Sequence, residues 1–397
     1  MTLALSNASE LYVAPGGPTF HLLHRIFGRA RRTRPVVRRI IFLLLITWIP
    51  ICLFALWQGS ALGATPRDSL LLDFSTYARF FIAVPMLVLA DIIIAPRLTV
   101  AGLQFVRDGL IRDADMPAYA AAITRLARRR ESLLAEFVIL GCAVFGAWSL
   151  TLDNAGGTAL SGWRSIFLSQ GDARHVSLAA LWYYLVATPV FLFMWYRWLW
   201  RIVFWAMFLW EVSRLELRLV PTHADRAGGL AFLDVAHASM DMLALAVASV
   251  PSAEVAFRIV YEGASIYTYQ GPLITVPLAM LAIILGPLLF FCPALARTRR
   301  AALRHYGSLV VRYNRGFQEK WVEGVHQTSE PLLGTSDIQS LADLGNSYRF
   351  VDDMGYTPFT RWTVLQIVVM AVLPGLPLLT LVLSANEIIH LLFKFVL

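Results

Sequence analysis

Apolar runs of about twenty residues recur along this chain, separated by shorter polar stretches that are rich in arginine. A helix needs ~20 predominantly apolar residues to cross ~30 Å of hydrocarbon, so each run reads as a span. The runs cover 40–58, 77–95, 133–152, 177–197, 230–250, 272–295 and 362–383. The pattern predicts an all-α integral membrane protein of about seven transmembrane helices with a helical cytoplasmic face. The fourth run does not stop at its second aromatic cluster. Trp182-Tyr183-Tyr184 and Trp195-Tyr196 are ~20 Å apart along a helix, as two interfacial belts would be. Apolar residues nevertheless continue to Trp210 with no turn signal. One long helix is predicted, leaving the membrane near Arg197 and ending near Val220.

The polar stretches carry patterns of their own. Within 97–131, Asp115 followed by Pro117 marks a helix start, since proline suits the first turn. That helix is expected to run through Arg128-Arg129-Arg130 into the third span. Residues 252–271 are amphipathic, with Glu254, Arg258 and Glu262 at four-residue steps, the spacing of a salt-bridge ladder on an exterior helix. A basic helix opens the 297–361 stretch, and Ser336-Asp337-Ile338-Gln339 forms a capping-box pattern that should start another. The division expected is a basic segment 1–39, a bundle 40–296 with inserts 97–131 and 198–229, a helical domain 297–361, and a last span with an interfacial tail, 362–397.

Composition agrees with the pattern. The 397 residues are 58% hydrophobic and only 15% charged, against about 25% charged in soluble domains, and mean hydropathy is +0.62. The polar, arginine-rich start and the long run after it predict a retained first span and no cleavable signal peptide. Cys52, Cys142 and Cys292 fall in separate spans, so they read as small packing residues and not as a disulfide or metal framework. Charge then sets the orientation. Regions 1–39, 97–131, 197–226 and 297–361 hold 28 of the 34 lysines and arginines. By the positive-inside rule these regions are cytoplasmic and the N-terminus is inside. The same rule, with attraction to anionic headgroups, accounts for the basic clusters, so no nucleic-acid partner is expected. Polar mass concentrated on one face leaves room for a protein partner or a second copy there.

Candidate chemistry gathers between Pro221 and Pro251. Asp234, His237 and Asp241 are spaced i, i+3, i+7 and share one face of a continuous helix. Each aspartate costs ~2.5–3.5 kcal/mol near a span centre, while each of the eight Leu, Ile, Phe or Val residues of 230–250 returns ~0.3–0.6 kcal/mol. The helix must therefore be wrapped by others, and its small residues Ala236, Ser239, Ala244, Ala246, Ala248 and Ser249 suit such contacts. The stripe, with Asp241 near the membrane midplane, is the candidate ion or proton path. Upstream, His223 and Asp225 with Gly228-Gly229 form a turn that either contacts a metal or caps the next helix. The spacing forces no metal site, and no cofactor is indicated. Asp91 and Glu136 are expected to pair with arginines such as Arg97 or Arg130.

PTHADRAGGLAFL, together with LLGTSDIQSLADLGNSY, resembles an uncharacterised family of bacterial multi-pass inner-membrane proteins over most of the chain. In that family the His-x-Asp step usually reads His-Pro-Asp, and here Ala224 stands in place of the proline. The resemblance implies an inner-membrane location and carries no activity. Three functions follow from the residues themselves. The first is a proton- or small-cation-linked channel or transporter using Asp234, His237 and Asp241. The second is a membrane-embedded metal-dependent enzyme using His223, Asp225 and His237. The third is a non-catalytic partner or sensor subunit binding through its cytoplasmic helices.

Overall fold

In the computed structural model, the chain is described at residue 25 and over residues 33–155, 162–166, 175–324 and 335–382. The protein is an all-α membrane protein, apart from a two-residue antiparallel pairing of Ser165–Ile166 with His175–Val176. Six helices are long and apolar enough to cross a membrane, and a bent pair brings the number to seven.

Helix α1 spans Thr33–Trp57. Helix α2 spans Phe74–Arg107 and starts where Asp73 accepts hydrogen bonds from the backbone of Ser75 and Thr76. Helices α3, Met116–Arg130, and α4, Leu133–Ala155, form the bent pair. Sequence predicted one helix through the arginine run, but the chain turns by 53° there. Ser132 Oγ accepts from the Ala135 backbone N–H and so caps a new helix, and three consecutive arginines resist following an apolar span into lipid.

Helix α5, Leu178–Ser213, is the unsplit long helix that the apolar pattern predicted. At 36 residues it is ~54 Å long, well beyond a bilayer core. It ends at Ser213 and does not reach Val220. From Leu215 to Val220 leucines alternate with arginine and glutamate, a period of two that suits extended chain, and the segment lies against Leu110 through the Arg218 N–H.

The sharpest departure is in the fifth span. Helix α6, Phe232–Ala238, is only seven residues long and stops at a turn over Ser239 and Met240. Helix α7 then runs from Asp241 to Glu262. The turn does not end the candidate span, since Phe232–Glu262 counts as one apolar helix of 31 residues, more than the ~20 needed to cross the hydrocarbon. Pro251 does not end it, because membrane helices tolerate an interior proline. At its far end Glu262 pairs with Arg67 at 3.0 Å. Asp241 is the first residue of α7, at the opposite end of that helix from Glu262. Within the predicted ladder, Glu254 does pair with Arg258 at 3.0 Å, while Glu262 turns to Arg67.

Helix α8, Gln270–Leu285, passes through a 3₁₀ turn at Gly286–Phe291 into α9, Cys292–Phe317. The whole run from Ile266 to Val322 is helical for 57 residues. Helix α10, Ser336–Asp352, starts where the capping box was read, but Thr335 and not Ser336 occupies the N-cap. The last span comprises α11, Arg361–Val372, and α12, Leu376–Val382, joined by a turn over Leu373–Gly375. The interfacial tail expected after it lies outside the described residues.

Packing differs along the bundle. Inside the membrane, buried alanines such as Ala83, Ala90, Ala187, Ala244 and Ala246 let helices approach closely. Exposed Leu45, Leu53, Phe137 and Phe145 face outward from α1 and α4, as lipid-facing residues do. At the arginine-rich end an aromatic core takes over. Phe105 contacts Phe232 and Phe291, with ring centroids 5.0 and 6.0 Å away, and Tyr119 meets Phe208 at 5.8 Å. Between the two regions, Asp91 of α2 pairs with an arginine as expected, but with Arg201 on another helix, α5.

Candidate functional site

The turn before α6 is built around one carboxylate. Asp225 Oδ1 accepts from the backbone N–H groups of Ala227 (2.9 Å) and Gly229 (3.1 Å), and Oδ2 accepts from Ala231 (3.1 Å). His223 Nδ1 lies 2.8 Å from Oδ1. Burial pushes the Asp225 carboxyl up, but the three backbone N–H groups and His223 outweigh it and hold the carboxyl below its ordinary value. Gly228 and Gly229 have φ of 65° and 97°, in the region glycine enters without strain. A Cβ on Gly229 would sit 3.2 Å from Leu110 Cδ2, and one on Gly228 3.1 Å from Met354 Cε. The turn also accepts from distant chain, with Gly355 N–H donating to the Arg226 carbonyl at 2.7 Å. Its geometry is that of a cap and a junction. A proline at 224 is not needed, because Asp225 itself closes the loop.

The Asp234, His237 and Asp241 side chains reach different partners. Asp234 Oδ2 accepts from the Thr360 N–H at 3.3 Å, where the last span begins. Asp241 Oδ2 accepts from Gln366 Nε2 of α11 at 2.7 Å. His237 is fully buried. Its Nε2 accepts from Trp205 Nε1–H of α5 at 2.8 Å, and its Nδ1–H donates to the Ile284 carbonyl of α8 at 2.6 Å. With one ring nitrogen accepting and the other donating, the imidazole is the neutral Nδ1–H tautomer.

That last bond has a local cause. In a 3₁₀ turn the donor to residue 284 would come from residue 287, and Pro287 has no N–H. His237 supplies the missing donor. A turn over Ser239 and Met240 separates Asp234 and His237 on α6 from Asp241 on α7, and the three side chains meet different partners. They clamp α5, α8 and α11 to the α6–α7 junction.

Sequence reading missed Trp205, Gln366 and Thr360. A signal existed for two of them: an indole deep in a helix needs an acceptor for its N–H, and Gln366 carries the one side-chain amide of the last span. A second polar centre at the far end was also missed. Asp73 accepts from Trp163 Nε1 at 2.9 Å and Arg164 Nη2 at 3.0 Å, besides its caps. Burial works against its charge, but Arg164, Ser75, Trp163 and Thr76 together hold its carboxyl below the usual range. Among the described residues no group of three or more His, Cys, Asp or Glu side chains is placed to hold a metal. Compared with protein-family models, curated proteins and solved structures, the chain matches none.

Proposed function

We propose that this chain is a non-catalytic subunit of the bacterial inner membrane, with its N-terminus in the cytoplasm, that engages a protein partner through its arginine-rich end. The orientation rests on the 28 of 34 basic residues gathered in that end's regions. The observation that carries the reading is the α9–α10 pair. Arg299 donates to the Asp352 carbonyl at 2.7 Å, and Asp337 accepts from Lys320 (3.0 Å) and Trp321 (2.9 Å), so the antiparallel helices are clamped at both ends. Between the clamps only Ala302 and Val351 are buried. Leu309, Val311, Ile338 and Phe350 stay exposed. A hairpin that continues a membrane span, has almost no core and presents apolar side chains is suited to be completed by another protein. Site-specific photocrosslinking from Val311 and Ile338 in cells tests this. A discrete protein adduct from both positions is expected, with the adduct from position 338 lost in Val311→Glu, and labelling of lipid or bulk protein alone refutes it.

A second reading has its own support. Asp234 Oδ1 is buried without a hydrogen-bond partner among the described residues, as a carboxylate kept for a proton or small cation would be. A path here runs through Asp234 and Asp241, since both His237 nitrogens are already bonded. Flux into proteoliposomes abolished by Asp241→Asn supports this reading. Wild-type flux in Asp241→Asn and in His237→Ala removes it.

A further inference from the structure

A cleft of about 840 Å³ opens between α5, the start of α9 and the extended segment after Ser213. We infer that this cleft binds an anionic glycerophospholipid, with the phosphate on Arg214 and Arg297 and an acyl chain against Leu289, Phe290 and Trp210. Three observations converge on that occupant. The first is charge. Arg112 is paired with Glu216 across the cleft, but neither Arg214 nor Arg297 has a carboxylate partner among the described residues. The guanidinium carbon of Arg214 sits 4.4 Å from the Trp210 ring centroid, a cation–π contact that orders the side chain while its N–H groups can still donate to an anion.

The second is continuity with lipid. Leu289 and Phe290 are 51% and 38% exposed. Ile274 and Leu278 of α8 are exposed as well, so apolar side chains face outward both along α8 and at the turn that follows it. The third is position. The 3₁₀ turn carrying Leu289 and Phe290 follows the apolar helix α8 and leads into the basic helix α9. Apolar wall below and cations above reproduce the order of tail and headgroup at a bilayer surface. A soluble phosphate would have no use for the apolar wall.

The test is native mass spectrometry of the full-length protein released from nanodiscs that contain phosphatidylglycerol and phosphatidylcholine in equal amounts. The wild-type protein is expected to retain phosphatidylglycerol selectively. Arg214→Gln with Arg297→Gln should lower that retention by about tenfold, and Phe290→Ser should lower retention of both lipids. The control, Arg304→Gln with Arg315→Gln, alters exposed arginines of α9 away from the cleft and should leave retention unchanged. All four arginines are exposed, so thermal midpoints should match. Equal retention by wild type and the cleft variant overturns the assignment. So does displacement of phosphatidylglycerol by millimolar inorganic phosphate, which would mark a free-anion site.

Discussion

Replacing His237 with leucine is the most direct test of its role as a clamp. Leucine fills the volume but leaves Trp205 Nε1–H and the Ile284 carbonyl, bonded now at 2.8 and 2.6 Å, without partners in a fully buried site. Each orphaned group costs about 1–3 kcal/mol, and no water has an evident route to a residue with no exposed surface. The expected loss is therefore about 2–6 kcal/mol. Trp205→Phe removes only the donor and should cost less, and in His237→Leu/Trp205→Phe the loss should fall short of the sum of the two single losses. Thermal unfolding in mild detergent, followed with a thiol-reactive dye in a Cys142→Ser background, reads this directly, because Cys142 is exposed while Cys52 and Cys292 are only partly so. A His237→Leu variant of wild-type stability, or strict additivity in the double variant, refutes the clamp.

Three further outcomes follow from the same geometry. Asp225 has a lowered pKa, so its stabilising contribution is present above the unfolded value near 4 and is lost as pH falls through the lower folded value. Unfolding midpoints between pH 7 and pH 3 should decline less steeply in Asp225→Asn than in wild type. Asp91→Asn strips the charge partner from Arg201, whose side chain is only 12% exposed. A loss of about 3 kcal/mol is expected, largely recovered in Asp91→Leu/Arg201→Met and measured in the same dye assay. Gly229→Ala forces a Cβ to 3.2 Å from Leu110 at φ of 97°, so about 1–3 kcal/mol should be lost. Gly59→Ala, also at positive φ but with open space around it, should cost less.

The sequence revealed most about the fold where a rule acts over twenty residues at once. Span length and apolar content located the crossing helices, and the lack of any turn signal between Tyr196 and Trp210 correctly kept α5 whole. The break at Ser239 and Met240 was invisible because apolar residues continue on both sides of it, and nothing in their periodicity marks a stop. That turn separates α6 from α7 and makes Asp241 the first residue of α7. The site was legible in part: Asp225 as a cap follows from its position before α6. The partners of His237, Asp241 and Asp91 did not follow, because Trp205, Gln366 and Arg201 lie on other helices, 32, 125 and 110 residues away in sequence. Contacts of that kind are set by how helices face one another, which a local pattern does not encode.

The unbroken run from Ile266 to Val322 has a mechanical consequence. Its membrane part is ~30 Å long and its outer arm, from Cys292 onward, is ~45 Å long. Held near the 3₁₀ turn by the His237 bond, it is a lever whose longer arm lies outside the lipid. A tilt of 5° at the pivot, on the order of what packed helices undergo in shear, displaces the distal end by about 4 Å.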